Sequence, residues 1–172
     1  MPGNAFLKFV NGGNKLVQGE SRQKGHVATE GWIDITDWNW DIEADTSFTK
    51  GTGSSVGKAK PNNFSFTHAL DASSAAMMTN IVQGTHFDSM EIHMLKQTGK
   101  DTPEVYWTLI AKNVFVTKLS SKGGEDGGMT QDVELVFKSV SIDYRAQTNQ
   151  GKLGDPINFQ WDIAAMTVGG RS

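Results

Sequence analysis

In the stretch INFQWDI, apolar side chains fall on every second residue: Ile157, Phe159, Trp161 and Ile163 against Asn158, Gln160 and Asp162. Period two is the spacing of a strand with one face buried. The same alternation recurs along most of the chain. AFLKFV sets Phe6 against Leu7 and Phe9, NFSFTHAL sets Phe64 and Phe66 against Ser65 and Thr67, and SMEIHMLK sets Met90, Ile92 and Met94 against Glu91 and His93. VYWTLIAKNVFVTKL is apolar on both phases, which predicts burial on both faces. Two runs slip phase. Ile33 and Ile35 give way to Trp38, Trp40 and Ile42, and Val133, Leu135 and Phe137 give way to Val140, Ile142 and Tyr144. One extra residue in a strand produces such a slip, so a β-bulge is expected at Thr36–Asp37 and a second between Phe137 and Val140. Seven strands with bulges and glycine turns argue a mainly β, antiparallel barrel or sandwich.

One segment departs from period two. In LDASSAAMMTNIVQG, Asp71 is placed to cap a helix over about 72 to 83, with Leu70 stapled onto Ala75 and Gly84 at the stop. Ala75, Met78 and Val82 then form the apolar stripe, with Met77 and Ile81 beside them, turned toward the barrel. Two connections are long: 44–63 and 120–130. Loops of more than about 12–15 residues usually carry function or are disordered.

The 172 residues suit one domain, 1–172. A net charge of −3 with 20% charged residues argues against nucleic acid or an anionic membrane as the main partner. Without cysteine there is no thiol chemistry. No run approaches the roughly 18 apolar residues of a membrane span, and the N-terminus lacks the pattern of a secretory signal.

Known chemistries find little support. GSSVGK looks like a phosphate loop, but position 52 is Thr52 where that loop needs its first glycine, Ala59 stands where it needs a hydroxyl, and a strand follows instead of a helix. His26, His68, His86 and His93 lack the spacing of a zinc helix; His86 and His93 could still meet across a turn, with an edge or surface position as the plainer reading. No G-x-S-x-G elbow is present, which leaves only a spatially assembled triad. Glu125 and Asp126 in GGEDGG lack the spaced ligands of a calcium loop and suit a solvated hairpin tip. Of the five tryptophans, Trp38, Trp40 and Trp161 lie on the apolar phase of strands, which favours core over a sugar platform. The opposite phase of the W-x-W strand carries Asp37, Asn39 and Asp41 and should look outward from a closed barrel. Outward polar faces gain meaning if several barrels join and line a common pore.

QGESRQKGHVATEGWIDITDWNW, GKAKPNNFSFTHALDASSAAMM, GTHFDSMEIHMLKQTG, YWTLIAKNVFVTKLSSKGGEDGGMTQDVELVFKSVSIDY and GDPINFQWDI together resemble the haemolysin-coregulated protein (Hcp) family of type VI secretion. The similarity spans about residues 5 to 163 and leaves a short tail, 164–172, without a counterpart. The resemblance implies a bulged antiparallel β-barrel with one flanking helix, assembled into a six-membered ring. Rings stack into a tube driven by a contractile sheath, with sheath, baseplate and spike proteins as partners and effector proteins carried in the lumen. It implies no catalytic activity and no cofactor. It also implies export from the cytoplasm without a signal peptide and without membrane insertion.

By the same resemblance, Asn39 faces the lumen and contacts effectors; Asp37 and Asp41 follow from alternation. Lys50, Gly51, Thr52, Gly53, Ser54, Ser55, Val56, Gly57 and Lys58 form a loop that contacts neighbouring subunits and helps rings stack. The acidic NWDIEAD departs from the serine and glycines frequent there in the family. A phage-type tail tube subunit shares the architecture. A monomeric carbohydrate-binding β-sandwich is the alternative from another class, and it requires coplanar exposed tryptophans.

Overall fold

The computed structural model describes residues 4–12, 15–46, 56–165 and 167–171. In chain order the strands are β1 (Ala5–Asn11), β2 (Lys15–Leu16), β3 (Arg22–Gln23), β4 (His26–Val27), β5 (Ile33–Asn39), β6 (Ile42–Thr46), β7 (Val56–Pro61) and β8 (Phe64–Ala69). The helix α1 (Ser74–Gln83) follows, and then β9 (Phe87–Lys96), β10 (Glu104–Gly123), β11 (Met129–Gln147), β12 (Leu153–Asp162) and β13 (Thr167–Arg171). A 3-10 turn, Ala28–Glu30, sits between β4 and β5.

Six strands run β10-β9-β1-β5-β8-β11, and β11 pairs back onto β10, so the sheet closes as an antiparallel barrel. Closure gives each of these six strands a partner on both sides, so the barrel itself has no edge open to chance pairing. The interior is filled by one phase of each strand: Leu7 and Phe9, Ile33 and Ile35, Phe64 and Phe66, Met90 and Ile92, Leu109 and Val114, Val133 and Leu135. Phe9 stacks on Phe87 at 4.4 Å and tilts against Phe66 at 6.2 Å. A six-stranded barrel has no room for a channel once such side chains occupy it.

The expected bulge at Thr36–Asp37 is present, as a register shift between Ile35 and Asp37 against β8. The second phase slip has another cause. Val114 stays opposite Phe137 and Lys112 opposite Ser139, with no shift between them. Both strands change face together at Asn113, whose φ is +53°, and the register shift of this pair falls later, between Val116 and Lys118. At that level β11 also changes partner, from β8 (Thr130–Leu135) to β12 (Ser139–Gln147). One long strand thus serves the barrel and an extension completed by β13, which pairs from Thr167 opposite Asp162 to Arg171 opposite Asn158. The tail 164–172 therefore contains a fourth strand of that extension.

Other expectations are corrected. β10 is not buried on both faces: Leu109, Ala111, Val114 and Val116 point in, whereas Lys112, Thr117 and Lys118 are exposed. Its length comes from pairing with β9 and β11, not from double burial. The connection 120–130 is mostly strand, closed by a tip at Gly124–Gly128. Of the connection 44–63, residues 44–46 and 56–61 lie in paired strands, β6 against β7, and 47–55 lie outside the described residues.

Helix α1 packs on β10 with a different stripe from the expected one. Ser74, Met77 and Asn80 are buried, while Ala75, Met78 and Val82 are exposed, Val82 at 85%. Ser74, Met77 and the half-buried Ile81 repeat the expected i, i+3, i+7 spacing one residue earlier, and the stripe is led by serine, whose hydroxyl accepts the Asp71 amide at 3.3 Å. The helix starts two residues later than expected, with Ser73 at the N-cap position; Asp71 accepts the Ser73 amide at 2.8 Å from two residues further out, and Leu70 is exposed, so no staple forms. Gly84 ends the helix in the left-handed region, φ +67°.

Candidate functional site

The phase opposite the core covers the outside of the barrel. On β5 the bulge decides what appears there: without it Asp37 would point inward and Trp38 outward. With it, Trp38 turns in, stacks on Trp107 at 4.7 Å and on Phe64 at 5.8 Å, and donates to the Met94 sulfur at 3.2 Å. Trp40 donates to the Asn62 carbonyl at 3.1 Å. Trp38, Trp40 and Trp161 all pack on the core, so they offer no coplanar sugar platform.

Cross-strand pairing then aligns two polar rows. Asn39 lies opposite Ser65, Ser65 opposite Glu134, and Glu134 opposite Lys118. Asp37 lies opposite Thr67, Thr67 opposite Asp132, and Asp132 opposite Ser120. Residues directly opposite share a face, so the rows run side by side across β5, β8, β11 and β10. Thr67 donates to Asp132 at 2.6 Å, and Thr36 donates to the Thr67 carbonyl at 3.2 Å, tying the bulge to β8. Shallow hollows of about 260 and 300 Å3 lie along the rows. Asp37, Asp132 and Glu134 outnumber Lys118, so the face is acidic.

The structure brings Asp37 and Asn39 together on this face. Asp41 lies past the end of β5, where its carbonyl accepts the Asn62 amide at 2.9 Å. Ser65, Thr67, Asp132 and Glu134 complete the rows. Alternation shows that these residues face outward, but not that they neighbour Asn39. Of the assembly-loop candidates, Lys50, Gly51, Thr52, Gly53, Ser54 and Ser55 lie outside the described residues, and Val56, Gly57 and Lys58 form the start of β7 rather than a loop. Glu125 and Asp126 sit at the β10–β11 tip, where Asp126 accepts the Gly128 amide at 3.0 Å. His93 bonds His26, not His86, and no group of three His, Asp or Glu side chains arranged to hold a metal ion is found among the described residues. No helix among them is long and apolar enough to cross a membrane.

A family profile described as type VI secretion system effector, Hcp, matches residues 6–144. The chain belongs to the Hcp family. It is 33% identical to protein hcp1 of Pseudomonas aeruginosa over 150 residues, 86% of this chain and 90% of that protein. A solved type six secretion system protein superposes with a TM-score of 0.84 at 22% identity, covering 96% of this chain and 98% of the other. Hcp1 of Salmonella typhimurium superposes at 0.74 and 23% identity, covering 96% and 99%. As an Hcp protein the chain is a tube subunit of the type VI secretion system, in a family of secreted structural proteins. Its outward faces therefore matter more than any internal pocket.

Proposed function

We propose that six copies close into a ring, that rings stack into the tube, and that the rows through Asn39 and Asp37 line the lumen and hold effector proteins. The filled barrel carries this reading. Since nothing passes through a barrel occupied by Phe9, Phe66 and Leu135, a conduit has to be built between copies, from outward faces. A wide polar face suits a lumen better than an apolar one, because a water-filled passage needs solvated walls. Asp41, at the rim of the same strand, extends the lining. The segment 50–58, which enters β7 at Val56, and the strands β6 and β7 make the contacts between subunits and rings. Sheath, baseplate and spike proteins are the outer partners in this reading. No feature of the described residues favours a phage-type tail tube over the secretion tube.

Light scattering on a sizing column, with negative-stain images, tests the ring: a mass of six chains is expected. In the same preparation Asn39→Gln keeps the ring and lowers the amount of effector that co-purifies. Unchanged effector in that variant would remove Asn39 from the lumen.

A further inference from the structure

The segment Arg22–Glu30 covers the outer face of β1 and β9, away from the polar rows. Its backbone hydrogen bonds stay local: Ala28 donates to Ser21 at 2.8 Å, Gly31 to Ala28 at 2.9 Å, Ser21 to Trp32 at 3.1 Å and Trp32 to Val27 at 3.4 Å. Within the segment only His26 is buried, at 7% exposure. Its ring stacks on Phe6 at 4.8 Å and tilts against Trp32 at 4.6 Å. Its Nε2 lies 2.8 Å from Nδ1 of His93, whose Nε2 lies 2.7 Å from Glu91. Lys8 stands 3.5 Å from Glu91 and 4.8 Å from the centre of the Trp32 ring.

Glu91 settles the protons. Hydrogen bonding from His93 holds its carboxyl below the usual range, so it accepts and His93 Nε2 carries hydrogen. In the neutral ring Nδ1 of His93 is then an acceptor, and His26 donates from Nε2. That leaves Nδ1 of His26 bare, buried and without a partner among the described residues. We propose that His26, bonded to His93, forms an acid-operated latch, which holds the segment Arg22–Glu30 on the barrel while its ring is neutral and releases it when that ring takes up a proton.

A second hydrogen on His26 would sit at Nδ1, buried and with no acceptor among the described residues. From β9, Glu91 is already shared by His93 and Lys8; from β1, Lys8 adds a second positive charge; the segment's own Arg22, Lys24 and Glu30 are exposed. Burial first, then His93, lower the docked His26 from 6.5 to about 4. Above about pH 6.5 the ring is neutral whether docked or released, and the latch is fully present. As pH falls from 6.5 toward 4 only the released form gains the proton, so docking weakens through that window. Release uncovers Phe6, Trp32 and Leu95, a small apolar cluster separate from the barrel core. The hairpin β3–β4 alone would not persist, since an isolated two-stranded ribbon is marginal in water.

Hydrogen-exchange protection of the Ser21, Ala28, Gly31 and Trp32 amides in the full chain, at pH 8 and pH 5, tests this. Values of 6.5 released and about 4 docked give a loss of about 30-fold at pH 5, while β10 and β11 keep their protection. Unchanged protection in the segment, or an equal loss in β10 and β11, overturns the latch. His68 provides an internal control, because burial lowers it too but it sits at β8, near Asp71. His26→Phe keeps the stacking and removes the proton site, so its segment should be as protected at pH 5 as at pH 8. A 30-fold loss retained in that variant overturns the proposal. If His26→Phe does not fold, His93→Gln decides: the loss should shrink, and an undiminished loss excludes the pair.

Discussion

The barrel and the β6–β7 hairpin are both antiparallel strands from one chain, yet they depend on different things. Each barrel strand has a partner on both sides and an inner face of aromatic and branched residues at or near zero exposure. The hairpin pairs only with itself among the described residues, and Ile42, Glu43, Ala44, Ala59 and Lys60 are exposed, Ile42 at 46%. A two-stranded ribbon with no buried face is marginal in water. Only its base is pinned, by Trp40 on Asn62 and against Phe137 at 5.4 Å. The barrel is stabilised within the chain, and the hairpin needs another surface. Substitutions in the two regions should therefore register in different experiments.

The largest effect belongs to the barrel. Phe9→Ala leaves a cavity between Phe66 and Phe87 and should cost about 3–5 kcal/mol in denaturant unfolding. A loss under about 1 kcal/mol would mean the barrel is not the cooperative unit. Next comes the approach of the chain to β5. A Cβ on Gly19 would lie 2.1 Å from the Trp32 carbonyl oxygen, so Gly19→Ala must shift backbone and should cost about 1–3 kcal/mol. A thermal midpoint equal to that of the parent would contradict this close approach. The smallest stability effect belongs to the hairpin: Ile42→Ser should change unfolding of the isolated chain by less than about 0.5 kcal/mol. The same variant should lower the fraction of assembled particles on a sizing column. A hairpin variant that unfolds the barrel, or leaves assembly untouched, would erase the distinction between the two regions.

Much of this was legible because β structure writes itself at short range. Phe64 and Phe66, Val133 and Leu135 each show their inward phase within a few residues, and the slip at Thr36–Asp37 shows where β5 must bulge. Gly84 marks the helix end because few other residues adopt its left-handed backbone. The helix face was not legible, since Ala75, Met78 and Val82 have the same spacing as Ser74, Met77 and Ile81. Apolar composition favours the first set, whereas the partner surface on β10 and the hydrogen bond from Asp71 to Ser74 selected the second. The slip between Phe137 and Val140 was visible, but its cause lay in β10, at the facing Asn113.

The sequence by itself determined that the chain is mainly β, where seven of its strands and the body of its helix fall, that Asp37 and Asn39 turn outward, and which family the chain resembles. Only the tertiary structure decided that Asn39 is continued by Ser65, Glu134 and Lys118, that β11 serves both barrel and extension, and that His26 reaches His93 from 67 residues away. The physical reason is range. Alternation, caps and bulges are properties of neighbours along the chain, whereas register and burial depend on strands that meet only after the barrel has closed.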